Sequence, residues 1–151
     1  ESLLKNNKIS IVISLDSGTS KIYKKIKRVN AFDRVVDNIK RYHLASTHNK
    51  NAVIHLKYIL LPGINDNREV KHFLKLCQNI GINYAILSID RYWLSENENK
   101  PIPRSLQKTI RYFMEQKDYQ SVNTGIDYGF MWKWWVDKVL EKNNTRKFFW
   151  Q

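Results

Sequence analysis

The chain has 151 residues, 42% hydrophobic, 13% aromatic and 26% charged, a globular composition of single-domain size with the length to bury a core. Its one cysteine excludes a disulfide scaffold, and equally a zinc finger or iron–sulfur cluster held by this chain alone. The formal charge of +12 raises nucleic acid, an anionic membrane or an acidic substrate as partners, while no apolar run reaches the roughly 18–20 residues of a membrane span, so the expectation is a soluble, cytoplasmic protein.

In chain order, Glu1 to Asn7 reads as the last turns of a helix already under way, which predicts the later part of a longer polypeptide. Residues 8 to 16 (Lys-Ile-Ser-Ile-Val-Ile-Ser-Leu-Asp) are short, β-branched and alternating, and predict a strand. Thr19 or Ser20 can cap a helix through the densest basic run, Lys21 to Arg28, with Ile22, Ile26 and Val29 at helical spacing and the lysines on the solvated side. It continues, broken, from Ala31 and Phe32, with Val35, Val36, Ile39 and Tyr42 on one stripe. A polar loop, Ser46 to Asn51, leads to a second strand, Ala52 to Leu60.

After the turn Leu61 to Asp66, Asp66 and Glu69 have capping-box spacing, and Gly81 stands where a helix C-cap belongs. Between them Val70, Phe73, Leu74, Cys77 and Ile80 recur at helical spacing, so Cys77 reads as a small core residue rather than a ligand or nucleophile. A third strand covers Tyr84 to Asp90. Tyr92 to Pro103 reads as a long loop, Arg104 to Gln116 as a helix, and Tyr119 to Asn123 as a short fourth strand. Asp127 to Lys142 has helical period and carries Trp132, Trp134 and Trp135. The division predicted is a (β/α) unit over residues 1–125 and an aromatic, basic helical extension over residues 126–151.

Strands alternating with helices imply right-handed βαβ units, a mainly parallel sheet and the α/β class. Side chains alternate faces along a strand. Ile9, Ile11, Ile13 and Leu15 therefore oppose Ser10, Val12, Ser14 and Asp16; Ile54, Leu56, Tyr58 and Leu60 oppose Val53, His55, Lys57 and Ile59; Ala85, Leu87 and Ile89 oppose Tyr84, Ile86, Ser88 and Asp90. One face is apolar throughout, and the other turns polar toward its C-terminal end. A doubly wound sheet would favour apolar residues on both faces, so a barrel wall explains the asymmetry better, with helices outside and chemistry at the C-terminal rim. Ser14, Asp16, Lys57, Ser88 and Asp90 would then converge, with His55 one layer deeper. Two carboxylates and a lysine suit the two ends of a zwitterionic ligand. The plainer explanation is that polar strand ends meet water and cap helices. Four strands cannot close a barrel of eight, which makes the chain an open sheet or part of a barrel.

The basic excess is a weak sign of nucleic-acid binding. Lysines number 18 against 8 arginines, and Arg is the residue suited to forked phosphate and base contacts. Lys, Ile and Asn are abundant together, which resembles a bias of coding material more than a binding face.

Ile13-Ser-Leu-Asp-Ser-Gly-Thr19, Tyr23-Lys-Lys-Ile-Lys27, Phe32-Asp-Arg-Val-Val-Asp-Asn-Ile-Lys40 and Leu56-Lys-Tyr-Ile-Leu-Leu-Pro-Gly-Ile-Asn-Asp66 resemble, in order and spacing, the C-terminal half of the radical S-adenosylmethionine (radical SAM) enzyme core. The resemblance covers roughly residues 1 to 125. It implies part of a (β/α)6 barrel whose C-terminal rim faces S-adenosylmethionine and a [4Fe–4S] cluster, with reductive cleavage to a 5′-deoxyadenosyl radical that abstracts hydrogen from a substrate. By position it implies cofactor contacts from Ser14 and Asp16 at the fourth-strand end, from Lys57 on the fifth strand toward the cofactor carboxylate, and from Ser88 and Asp90 at the sixth-strand end near the ribose. The family's Cys-x3-Cys-x2-Cys loop has no match here, and Cys77 alone holds no cluster. The expectation is thus a fragment, inactive alone, whose partner is the N-terminal half of the barrel and whose substrate is unknown.

Two other readings compete. One is a non-catalytic basic α/β module for a nucleotide or nucleic acid, although the five glycines, at positions 18, 63, 81, 125 and 129, form neither a P-loop nor a dinucleotide fingerprint. The other is an interaction protein that uses the tryptophan-rich tail as a membrane-surface helix or partner interface; such a stripe more often packs as core.

Overall fold

The computed structural model describes residues 8–49, 51–64, 66–97, 100–101, 103–115 and 122–126. Strand β1 (Ile9–Ser14) leads to helices α1 (Ser20–Lys27) and α2 (Phe32–Ser46), then β2 (Ala52–Leu60), α3 (Asn67–Ile80), β3 (Tyr84–Ile89), α4 (Arg91–Asn97), α5 (Arg104–Glu115) and β4 (Asn123–Ile126). The strands form one sheet in the order β1-β2-β3-β4. Every neighbouring pair is parallel. The fold is α/β, compatible with part of a (β/α) barrel.

The alternation in the strands decides which face is covered. Ile54, Leu56, Tyr58 and Leu60 of β2 are 0–5% exposed, and Ile11, Ile13, Ala85 and Leu87 share their face by register. Each of the five helices contributes to this one core: Tyr23, Ile39, Phe73, Leu94 and Ile110 belong to it in turn. The Tyr58 and Phe73 rings meet at 4.9 Å between centroids, a favourable tilted aromatic pair. Cys77 lies in the same core at 0% exposure.

Helix boundaries follow local chemistry. Thr19 caps α1, its Oγ1 accepting from the Ile22 N–H, and Arg28 ends it in the left-handed region at φ 59°, which is why the basic stretch and the stripe after Ala31 are two helices. Only Tyr23 of α1 is fully buried, while Val29, expected on the apolar stripe, is 50% exposed beyond the helix end. Gly81 closes α3 at φ 89° with its N–H on the Cys77 and Gln78 carbonyls, the αL cap that glycine adopts without a Cβ penalty. Gly18 answers a different demand: a Cβ there would lie 2.2 Å from the Phe73 backbone nitrogen, so the β1–α1 loop rests directly on the α3 backbone.

Three expectations are corrected. The capping box is half formed: Asp66 accepts from the Arg68 and Glu69 N–H groups, but the Glu69 side chain reaches Gly18 and Thr19 instead of turning back. Part of the expected Tyr92–Pro103 loop is helix α4, because Asp90 Oδ1 accepts the Trp93 N–H at 2.8 Å and Leu94 is buried. The fourth strand runs Asn123–Ile126, later than expected; it starts where the Asn123 N–H reaches the Asn83 carbonyl. Residues 1–7, 119–121 and 127–151 lie outside the described residues, and so do the expectations placed on them. Among the described residues no helix is long and apolar enough to cross a membrane.

Candidate functional site

The second face of the sheet is open. On it β1 presents Ser10, Val12 and Ser14, all exposed, with Val12 at 51%. From β2 come Val53 at 44% exposure and the half-buried His55, Lys57 and Ile59, and from β3 come Tyr84 and Ile86, half-buried, with Ser88, which is buried. Register fixes the neighbours: Val12 pairs with His55, Ser14 with Lys57, Lys57 with Ile86, and Ile59 with Ser88. Of the five residues expected to converge, Ser14, Lys57 and Ser88 therefore share this face at the C-terminal ends of their strands. Below them the face is more apolar.

The two aspartates have structural contacts of their own. Strand β1 ends at Ser14, and the Leu15 and Asp16 N–H groups both turn to the Lys57 carbonyl. The next β2 donor on that edge, the Ile59 N–H, would lose its partner there. Asp16 Oδ1 accepts it at 3.2 Å. The residue sits at φ 63°, a conformation aspartate tolerates better than most. Its Oδ2 pairs with the Lys27 ammonium, the carboxylate being 4% and the lysine 33% exposed. Asp90 continues the β3 ladder through its N–H on the Leu60 carbonyl and caps α4 with its carboxylate.

Sequence reasoning missed two participants. Lys27 is one lysine among several in a run that reads as solvated, and nothing in the pattern singles it out as the partner of a buried aspartate eleven residues earlier. Glu69, 6% exposed, accepts at Oε1 from the Gly18 N–H at 2.7 Å and the Thr19 N–H at 2.9 Å, and the Thr19 hydroxyl donates to both of its oxygens. A carboxylate on the N–H groups of the α1 cap residue and the residue before it satisfies those donors and lies at the positive end of the helix dipole. It ties the loop carrying Asp16 to the start of α3. The capping-box spacing is the signal that could have marked Glu69.

Two further features bear on chemistry. His55 packs against Tyr84 edge to face, centroids 5.1 Å apart; its Nδ1 is buried with no hydrogen-bond partner, and burial holds its pKa below the usual 6.5. The Cys77 thiol is pushed well up by desolvation in the core. Among the described residues no three His, Cys, Asp or Glu side chains are placed to hold a metal ion. A separate cleft of about 270 Å³ lies between the turn Leu60 to Gly63 and the first turns of α3 and α5, with Arg68, Lys108 and Thr109 on its walls. None of the five expected site residues lines it.

Comparison with known proteins adds a fold likeness. No protein-family model and no curated protein matches the chain. Among solved structures it is similar to SuiB of Streptococcus suis, with a TM-score of 0.61 and 15% identity over 97% of this chain. The structure of SuiB bound to the precursor peptide SuiA aligns equally well, at TM-score 0.61 and 15% identity. The chain spans about a third of SuiB, 33% of its length in the first structure and 32% in the second. At this identity the likeness is one of fold.

Proposed function

We propose that this chain is the C-terminal part of a radical SAM barrel and that its open sheet face binds S-adenosylmethionine. The observation that carries the proposal is the parallel sheet whose core, among the described residues, lies on one face, the other face ending in Ser14, Lys57 and the buried Ser88 at the rim. The fold likeness to SuiB, itself a radical SAM enzyme, supports it. Supporting it too, β1 pairs only with β2 among the described residues. The Ile9 and Leu15 N–H groups point toward β2, so by alternation the backbone groups of Ser10, Val12 and Ser14 face the other edge, where further parallel strands would add.

The residues fit the cofactor and not the cluster. Lys57 offers a cation for the cofactor carboxylate, and Ser14 and Ser88 offer hydroxyls beside it. Asp90, half-buried, keeps acceptor capacity beyond its cap bond, since a carboxylate has about four acceptor sites, and this suits an ammonium or ribose hydroxyl; Asp16, 3% exposed and holding the Ile59 N–H and Lys27, shapes the rim from behind. The one thiol is buried in the core on the covered side, so the thiolates for a [4Fe–4S] cluster belong to a part of the polypeptide other than this chain. When bound with such a cluster the cofactor supplies a 5′-deoxyadenosyl radical; this chain's residues orient it and exclude water. The precursor peptide in the SuiB complex makes a peptide the first substrate class to test.

The coding sequence before Glu1 decides the matter first. An in-frame continuation of on the order of 100 residues, about a half-barrel, with cysteines spaced Cys-x3-Cys-x2-Cys is expected. A start codon just before Glu1 overturns the reading, and salt-dependent RNA binding would then be measured for the basic-module alternative. In the full polypeptide, Lys57→Met is expected to weaken S-adenosylmethionine binding at least about tenfold, the loss typical of a hydrogen bond to a charged group.

A further inference from the structure

The cleft between α3 and α5 is built apart from the open face, yet beside it. Leu60, at the end of β2, lies in its wall, and the Leu60 carbonyl accepts the Asp90 N–H, so the cleft opens at the same end of the sheet as the rim. The turn that forms its upper wall is fixed by local chemistry. The Ile64 N–H reaches the Leu61 carbonyl at 2.9 Å, with Pro62 second and Gly63 third at φ 83°, the residues that suit a type II turn. A wall already formed lowers the ordering cost of whatever binds against it.

Inside, the cleft is apolar and its polar groups are largely answered. Leu60, Leu61, Pro62, Pro103 and Leu106 line it. The Thr109 hydroxyl lies 2.7 Å from Asn67 Oδ1 and 3.1 Å from the Ser105 carbonyl. Asp66 accepts from the Arg68 and Glu69 N–H groups and from the Arg68 guanidinium, so these two charges cancel. Of the charged residues on the walls, exposed Lys108 is then the unbalanced one. A small-molecule site occupies about 300–1,000 Å³ and converges several polar groups on its ligand. This cleft has about 270 Å³ and its polar atoms face one another, which suits one large apolar side chain carried by a longer molecule.

We propose that the cleft docks an acidic segment of a peptide substrate, an apolar side chain lying between α3 and α5 and a neighbouring carboxylate meeting Lys108. The chain's charge of +12 draws such a segment in. This deepens the proposed function and rests on it for the peptide being the substrate: held here, the peptide is anchored outside the open face while its reacting residue reaches over the rim.

The test is NMR of the full polypeptide with ¹³C-labelled Leu and Thr methyls, so that Leu61, Leu106 and Thr109 report from the cleft. The probes are short Gly-Ser peptides with one central pair, Phe-Asp, Phe-Lys or Ala-Asp. Phe-Asp is expected to shift the three signals saturably. Ala-Asp should bind at least about tenfold more weakly, through loss of the buried ring, and Phe-Lys about fivefold more weakly, through loss of an exposed charge pair. In Lys108→Glu the order of Phe-Asp and Phe-Lys should reverse, a result that altered folding does not produce. Ser105→Phe, at an exposed position on the cleft wall, should abolish the shifts. No saturable shift with Phe-Asp, equal binding of Phe-Asp and either other peptide, or an unchanged order in Lys108→Glu overturns the proposal. So does N-acetylphenylalaninamide binding as tightly as Phe-Asp, which would make the cleft a small-molecule pocket. Shifts that follow protein concentration alone overturn it too, and assign the cleft to a second copy. Calorimetry with S-adenosylmethionine on the same sample separates the two readings. Peptide docking without cofactor binding keeps the docking site and removes the proposed function; cofactor binding without peptide docking does the reverse.

Discussion

Strand β2 has two sides that differ in kind. Ile54, Leu56, Tyr58 and Leu60 are at most 5% exposed beneath the helices, while Val53 on the other side is 44% exposed and His55, Lys57 and Ile59 are half-buried. The covered side is explained by the chain's own stability. The open side is not, because a sheet that leaves Val12 and Val53 half in water gains little from them. Period-2 alternation thus separates what the fold needs from what remains for a ligand or a neighbouring element. This contrast can be broken by substitutions whose costs should fall in a set order.

The largest loss of stability is expected on the covered side. Phe73 is 0% exposed, and its ring meets Tyr58 in a tilted pair within the core. Phe73→Ala should lower unfolding free energy by about 3–5 kcal/mol, measured by urea unfolding. A loss under about 1 kcal/mol would mean that the helices do not pack as described. Glu69→Ala comes next, since it strips the acceptor from the Gly18 and Thr19 N–H groups and the Thr19 hydroxyl. About 2–4 kcal/mol is expected from the donors left unsatisfied, with amide exchange at Gly18 and Thr19 accelerating first. Glu69→Gln, which retains one acceptor oxygen, should recover part of it.

Asp66→Ala should cost about 1 kcal/mol, as for other N-caps. Its pH dependence carries a sign. The Glu69 backbone N–H bond, helped by Arg68, holds the Asp66 carboxyl below its usual 3.8. A depressed carboxyl adds stability that is present above the unfolded value and lost as pH falls through the folded one. The gap between wild type and Asp66→Ala should therefore be full at pH 5 to 7 and close below pH 3.8; a gap that is constant down to pH 2 would assign the cost to helix propensity instead. On the open side Lys57→Met should cost less stability than Phe73→Ala or Glu69→Ala while weakening cofactor binding, and a loss as large as theirs would place Lys57 with the scaffold.

Much of this contrast was legible in the sequence, and for a reason. The strands are short and β-branched, so period 2 stands out, and Ala52–Leu60 is both the expected and the observed span. The C-cap at Gly81 and the core role of Cys77 follow equally from local spacing. What was not legible depends on contacts distant in sequence. Glu69 looks like the second half of a capping box until the β1–α1 loop is seen against α3, 50 residues away. The stretch after Asp90 reads as loop because its polar residues outnumber Leu94 and Trp93, the apolar side chains that hold α4 to the core. Asp16 was read as a rim ligand by its place at the strand end. Register adds that it also completes the β1–β2 edge, a duty that alternation alone does not reveal.

His55 offers the finest probe of the two sides, because it belongs to the open face yet has one nitrogen in the interior. Burial lowers its pKa from 6.5, so in acid the unfolded chain binds a proton that the folded chain refuses. By linkage, its contribution is fully present above about pH 6.5 and is lost as pH falls below that value toward the folded one. His55→Phe keeps a ring against Tyr84 and removes the proton. Between pH 7 and pH 5 the variant should therefore lose less stability than the wild type, the smallest of these effects and one that urea midpoints at three pH values can resolve. Parallel curves would mean that the imidazole is solvated on both nitrogens. The open face would then extend one layer deeper than Lys57.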